Sequence, residues 1–441
     1  MGRLMLALAC CLTLTTAWAA PPNLAGVSRT QTRAPDIDAA KALRIWVFNI
    51  GQGDSILIEL PPAVSTRLGN AAGDPVNILV DGGASPVSLA ERTPRFLHHR
   101  YGTNVTIEHM VLTHHDRDHV VGLTRVLGDK TIAVDRVYAS GLASFKPGEL
   151  SIPTSGTAGG FVSDGNPPRR SLGRFLSSGR LESKYQVATM EVLKRRVDND
   201  AFSSDFGDFA KAVVDKAQPK PVADFTQACF GCGALDLIPP PASAAHPRLS
   251  ITTIWPRQQS RRFGNWAKTT NGNSIAFNLS YGDFSILLTG DLNTQSEPEV
   301  LALLQSENRL DLLDVDVLKA AHHGSSHNAR EFIEHPLLKP VVSVASMGGA
   351  GFMQYKHPDE ALITTLGGAL RFYSTYIQEE TFVRKNLTDE QKTRLVEDTH
   401  VLIETDGARF RIVEVSTLHD AEVPGMDDVL EGNGTPWIDA R

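Results

Sequence analysis

The stretch IEHMVLTHHDRDHVVGL, residues 107–123, constrains this chain more than any other. An apolar run suited to a buried strand stops at His114, and apolar positions resume with helical spacing in VVGLTRVLG. Between the two, His114, Asp116, Asp118 and His119 place four ligand-capable side chains within six positions. The pattern predicts a strand, a polar loop and a helix start, with the loop gathering its side chains at one sheet edge. Imidazole and carboxylate together suit zinc, manganese or iron, and the equal share of oxygen and nitrogen donors tilts toward harder ions than an all-His set. The plain alternative is a solvated loop in which Asp118 caps the helix.

Other segments supply the rest of the frame. LRIWVFNIGQGDSILIEL and NILVDGGAS are short β-rich runs ended by Gly and Asp. In NSIAFNLSYGDFSILLTGD two alternating runs flank Tyr281-Gly282-Asp283, a hairpin signal, and HVLIETDGARFRIVEV turns again at Asp406-Gly407. From about 142 to 248 the composition shifts to Gly, Ser and Pro around one helix-like segment, YQVATMEVLKRRV, which marks an insertion. With 441 residues, 41% hydrophobic and 21% charged, the chain has a globular profile that excludes general disorder.

Residues 1–19 carry Arg3, an apolar run and Ala17-Trp18-Ala19, as a secretory signal peptide does, and the Pro-, Ala- and Thr-rich residues 20–42 follow as a linker. No later run reaches the ~20 apolar residues of a transmembrane helix. A periplasmic or secreted protein is expected, closed by an acidic tail at 416–441. Removal of the leader leaves Cys229 and Cys232, whose simplest use in an oxidising compartment is a small disulfide.

Five motifs in order carry a family resemblance: NIGQGDS (49–55), LVDGG (79–83), the HxDxDH loop (114–119), NGNSIAFNL leading to LLTGD (271–291), and DVLKAAHHGSSH followed by YKHP (355–358). The chain resembles the metallo-β-lactamase fold, in the version found at the C-terminal part of ComEC-type DNA-uptake proteins. The resemblance spans about 43–415, leaves out most of the insertion, and lacks the membrane channel of a full uptake protein. It implies an α/β chain, an αββα sandwich with a long insertion after the metal loop, holding one or two divalent ions, zinc or manganese. His114 and Asp116 would hold one ion and Asp118 and His119 the other, with Asp291 bridging. Asp118 and His323 would be catalytic, His323 as distal ligand or leaving-group acid, with His322 and His357 as further candidates. Where the wider family carries a His, Asn271 and Asn273 stand here. Asp81 sits in a turn where it can brace the metal loop by hydrogen bonding, and Asp54 beside Ser55 fits either the site or a plain turn. His98, His99, His109 and His327 have no spacing argument.

Such a site implies hydrolysis by a metal-activated hydroxide, and the ComEC-like branch points to phosphodiesters. The sequence adds a reason of its own: between Leu237 and Gly282 there is no Asp or Glu, while Arg248, Arg257, Arg261, Arg262 and Lys268 alternate with Trp255, Phe263 and Trp266. Basic residues beside aromatic platforms suit single-stranded nucleic acid, with Asn271, Asn273 and Ser274 at the entry to the site. Alternatively the rings anchor a long loop to the core. A net charge of −7 gives no general attraction to a polyanion, so local polarity must do the steering. A lactone, lactam, choline phosphodiester or other ester hydrolase, and a non-catalytic metal-binding protein, are the alternatives.

Overall fold

The computed structural model describes residues 37–440 apart from 66–67, 69–74, 84–86, 148–158, 166–168, 217–218, 237–246, 348–356, 367–371, 376–398, 417–432 and 435–436. The expected leader, most of the expected linker and most of the acidic tail lie outside the described residues. Within them the chain begins with β1 (Leu43–Val47), β2 (Ile56–Glu59), β3 (Asn77–Val80), β4 (Val105–Leu112) and β5 (Ile132–Ala139). Alternation decides which way each strand faces. In β1, Leu43, Ile45 and Val47 point into one apolar core while Trp46 points into another. Trp46 also donates its indole N–H to the buried carboxylate of Glu59, 2.9 Å away.

β6 (Gly159–Asp164) and β7 (Arg170–Leu176) form a separate hairpin, and β8 (Asp224–Gln227) returns to the first sheet beside β5. A second sheet is built from β9 (Leu249–Trp255), β10 (Ala276–Tyr281), β11 (Phe284–Leu288), β12 (Val317–Lys319), β13 (Val342–Ala345) and β14 (Phe372–Ser374). The hairpin expected at Gly282 joins β10 to β11, with Tyr281 opposite Phe284. β15 (Thr399–Thr405) and β16 (Arg409–Ser416) then extend the first sheet beyond β1, and short β17 (Asn433–Gly434) and β18 (Ile438–Asp439) pair on β16. β3, β4, β5 and β8 run parallel, as do β11 to β14.

The two sheets face each other across a core that includes Ile45, Ile58, Ile78 and Val111 from one and Phe277, Leu279, Ile286 and Val317 from the other. Helices cover both outer faces. After a single turn, α1 (Pro62–Ser65), come α2 (Arg92–Tyr101), α3 (Arg117–Gly128), α4 (Met190–Asp198) and α5 (Ser204–Asp215), which pack Leu97, Leu123, Leu193 and Phe209 on the first sheet. Beyond α6 (Trp266–Gly272), α7 (Glu297–Ser306), α8 (Arg330–Ile333) and α9 (Glu360–Thr365) cover the second with Leu304, Phe332 and Leu362. The protein is thus a mixed α/β chain in helix, sheet, sheet, helix layers. Parallel strands place their following loops at one edge, where a site can form from several of them. Cys229 and Cys232, between β8 and β9, are joined in a disulfide.

Candidate metal centre

β4 ends at Leu112 and α3 begins at Arg117, so His114, His115 and Asp116 form the loop while Asp118 and His119 lie in the first helical turn. The position before the helix is Asp116, and its side chain makes no capping bond. Asp118 is therefore no helix cap, and its carboxylate is available elsewhere. The turn is held close by glycine: a Cβ on Gly53, whose φ is +128°, would overlap the carbonyl oxygen of Asp118. Asp81 follows β3, Asp291 follows β11, and His322 and His323 follow β12 in a tight turn. Both histidines take left-handed backbone, φ 50° and 55°, a conformation that costs a non-glycine residue about 1–3 kcal/mol and here turns the imidazoles toward the sheet edge.

These side chains converge on Asp291. Its Oδ1 lies 3.4 Å from His119 Nε2, and its Oδ2 lies 3.5 Å from His323 Nε2 and 3.8 Å from both His114 Nε2 and His322 Nε2. His323 Nε2 is also 3.5 Å from Asp118 Oδ2, and His114 Nε2 is 3.8 Å from Asp116 Oδ2. Among the described residues four groups can each offer ligand atoms within 4.8 Å of one another: His114, His119 and Asp291; Asp118, His119 and His323; Asp54, Asp81 and His119; Asp54, Asp291 and His323. Of the expected pairs, Asp118 and His119 share a group and Asp116 lies beside His114, while His119 stands with His114 as well.

The far ring nitrogens explain the aim. His114 Nδ1 is 3.1 Å from Thr113 Oγ1 and 3.3 Å from Ser274 Oγ; His119 Nδ1 is 2.8 Å from Asp81 Oδ2; His323 Nδ1 is 3.0 Å from the Ser346 carbonyl. Asp81 accepts in addition from the Thr113 N–H and hydroxyl, bracing the loop. Each imidazole is gripped at Nδ1 and offers Nε2 to the centre, the arrangement by which outer partners orient metal-binding histidines. His114 Nε2, His119 Nε2, His323 Nε2 and Asp291 Oδ1 are all buried without a hydrogen-bond partner. Buried polar atoms without partners are rare, and four that face one another, three nitrogens and a carboxylate oxygen, fit a divalent ion.

The charges are strongly coupled. Burial and the neighbouring Asp118 carboxylate push Asp116 up to about 7. Burial works against the protonated forms of His119 and His323, yet Asp291, with Asp81 for His119 and Asp54 for His323, outweighs it: His323 rises to about 9 and His119 lies well above the usual range. Burial alone would raise Asp291, but His323 and His119 bring it well below the carboxylate range. Without an ion, the centre holds protons between its imidazoles and carboxylates.

Lys319 is the residue that sequence reasoning missed. Its Nζ sits 2.8 Å from Asp54 Oδ2, and the two side chains are 1% and 2% exposed. Asp54 also accepts from the Ser346 hydroxyl, and its Oδ1 lies 3.3 Å from His323 Nδ1. Asp54 is thus no plain turn residue but a buried anion behind His323. A lone Lys within the apolar run VLKAA was the available signal.

Several expected substrate contacts are used internally. The Asn273 amide nitrogen donates to the carbonyls of Arg261 and Thr269, both at 2.7 Å, and its oxygen accepts from Arg261 N at 2.8 Å, so it staples the loop to α6. Ser274 Oγ accepts from Asp291 N at 3.0 Å and touches His114, so it braces the centre. Arg261 pairs with Glu299 at 3.0 Å. Trp255, Phe263 and Trp266 are buried, with the Trp255 N–H donating to the Gly272 carbonyl, because large rings gain most from leaving water. They anchor the loop and form no stacking platform. Arg262 and Lys268 remain exposed. Asn271 faces the centre, its amide nitrogen 2.9 Å from Asp116 Oδ2 once the amide is oriented for donation. His322 and His357 line the outer side, their rings 5.9 Å apart, with His327 stacked on His322. His98 and His109 bond Asp129 and Tyr138.

No protein-family model matches the chain. A stretch of 97 residues is 32% identical to ComE operon protein 3 of Bacillus subtilis (strain 168). The match covers 22% of this chain and 11% of that protein, so the chain spans a small part of its relative's length. Among the described residues no helix is long and apolar enough to cross a membrane. The partial similarity and the His/Asp cluster together point to a metal-dependent, hydrolase-like role.

Proposed function

We propose that this chain is an exported metal-dependent hydrolase of the metallo-β-lactamase fold that cleaves phosphodiesters, with nucleic acid as its substrate. The observation that carries the reading is the ring of unpartnered buried atoms around Asp291, from His114, His119, His323 and Asp291 itself. Zinc or manganese held there supplies Lewis acidity and lowers the pKa of a water molecule. Asp118 and Asp116, 26% and 28% exposed at their side chains, form the solvent-facing rim while His114, His119 and His323 are sealed beneath. Asp118 is accordingly the carboxylate that receives the proton of the attacking water. His323, fixed by Ser346 and Asp54, keeps Nε2 toward Asp118 and Asp291. Asn271, donating to Asp116, closes the side where the wider family places a histidine.

The test uses metal-stripped protein with Zn²⁺, Mn²⁺ or Mg²⁺ restored, assayed on bis(p-nitrophenyl) phosphate and labelled single-stranded DNA beside Asp118→Ala. Metal-dependent cleavage that vanishes in the variant supports the reading. Burial of Trp255, Phe263 and Trp266 favours a second reading, hydrolysis of lactones, lactams or other esters, since it removes the base-stacking surface. Metal uptake with cleavage of neither phosphodiester moves the assignment there. Uptake without turnover of any ester leaves a non-catalytic metal-binding protein.

A further inference from the structure

The β6–β7 hairpin lies outside the strands that bear the metal cluster, yet one of its side chains is fixed on a ring that packs against the ligand loop. Arg170, the first residue of β7, pairs across the hairpin with Asp164. Its backbone N–H donates to Asp164 Oδ1 at 2.9 Å and its Nε to Asp164 Oδ2 at 2.6 Å. The guanidinium carbon sits 4.7 Å from the centre of the Trp266 ring. One edge of the guanidinium is thus held by a carboxylate and one face by an indole, while Nη1 and Nη2 make no hydrogen bond among the described residues and the side chain stays 33% exposed.

The same tryptophan ties Arg170 to the centre. The Trp266 ring meets His115 edge-on, 6.0 Å between centroids, and His115 stands between His114 and Asp116 in the chain. α6, which starts at Trp266, ends where Asn271 reaches Asp116.

A planar guanidinium with a free edge, already ordered by its neighbours, loses little entropy when it binds an anion and matches two phosphate oxygens at once. We propose that Arg170 is an anion anchor for the substrate: Nη1 and Nη2 receive the phosphate next to the scissile one, on the solvent-facing side of the cluster near Asp116. The inference rests on the phosphodiester reading and adds to it a requirement for a second anionic group, supplied by the inserted hairpin.

The test compares metal-loaded full-length protein with Arg170→Ala and Arg170→Lys on bis(p-nitrophenyl) phosphate, the dinucleotide dTpdT and the trinucleotide dTpdTpdT. With charge-assisted hydrogen bonds of ordinary strength, Arg170→Ala should raise KM for the trinucleotide about 10-fold or more, leaving kcat and the single-phosphate substrates within about twofold. Arg170→Lys, which keeps the charge and loses the fork, should recover part of the loss. Equal losses on all three substrates, or an unchanged trinucleotide KM, overturn the inference while leaving phosphodiester hydrolysis intact. Should no substrate turn over, fluorescence polarisation of a fluorescein-labelled trinucleotide on metal-free protein decides the matter separately. Binding that Arg170→Ala weakens about fivefold or more sustains the anchor; equal affinity, or no binding to the native chain, overturns it.

Discussion

Replacing Lys319 by Met should destabilise the fold by about 3 kcal/mol, the lower end of the range for breaking one side of a buried ion pair. The Lys319–Asp54 pair is close, 2.8 Å, and sealed from water on both sides. Removing the ammonium leaves the Asp54 carboxylate inside the protein, but the Ser346 hydroxyl and the His323 ring still face it, which limits the cost. Asp54→Asn should cost more, about 4–5 kcal/mol, since the Lys319 ammonium then stays buried with neutral acceptors only, the new amide oxygen and the Ala320 carbonyl at 3.1 Å. The double variant, with neither charge of the pair left, should cost less than the sum of the two. Urea unfolding of metal-free protein at pH 7.5 measures all three. The pH dependence has a definite sign. Burial raises the Asp54 pKa, but Lys319 and His323 outweigh it and bring the carboxylate below its ordinary value. The pair's contribution is therefore complete above the unfolded carboxylate pKa near 4 and is lost as pH falls through the lower folded value, so the gap between native chain and Lys319→Met should narrow in acid. Single variants within about 1 kcal/mol of the native chain, or strict additivity in the double, would refute this reasoning.

Zinc binding at pH 7 should release about one to two protons per chain, read by calorimetry in buffers of different ionisation enthalpy, because His119 and His323 are held protonated in the metal-free protein; zero release contradicts that charge distribution. Glu297 is pushed up to about 8 by burial, partly opposed by the Ala329 N–H, so the folded state keeps a proton that the unfolded chain loses above about pH 4.5. Its ionisation costs stability as pH rises toward 8, and Glu297→Gln should gain on the native chain by about 1–3 kcal/mol between pH 5 and pH 8, a gain that a pH-independent difference would rule out. Gly53→Ala forces a Cβ onto the Asp118 carbonyl and should destabilise by about 3 kcal/mol or more, whereas Gly102→Ala, with φ 75° but nothing within 4 Å, should cost about 1 kcal/mol. Thermal unfolding of the two variants side by side checks the difference.

The parts of the fold that could be read from the chain are those that local pattern controls. Strand, ligand loop and helix follow one another between Val105 and Gly128 because the apolar period changes there from two to 3.6. The turns at Gly282 and at Asp406-Gly407 close their hairpins as Gly-containing turns do. What side chains do across the fold was hidden. The acid-free segment looked like a nucleic-acid surface, but its rings share helical and strand faces with the core and are buried there, and Arg261 meets Glu299 from α7, far away in sequence. Asn271 and Asn273 are near neighbours with opposite tasks, one toward Asp116 and one back to the Arg261 loop, since Asn271 lies in the last turn of α6 and Asn273 follows its end in non-helical backbone. Lys319 and Asp54 come together only when β12 of the second sheet is set against the turn before β2 of the first, a pairing that no local period contains.

Metal content after dialysis against limiting Zn²⁺, compared between the native chain and Asp291→Ala, tests the central claim most directly, because Asp291 lies within 4 Å of His114, His119, His322 and His323. The account predicts at least one tightly held ion per native chain and loss of that ion in the variant, with folding checked by circular dichroism. A native chain that retains no zinc, or a variant that retains as much, would contradict it.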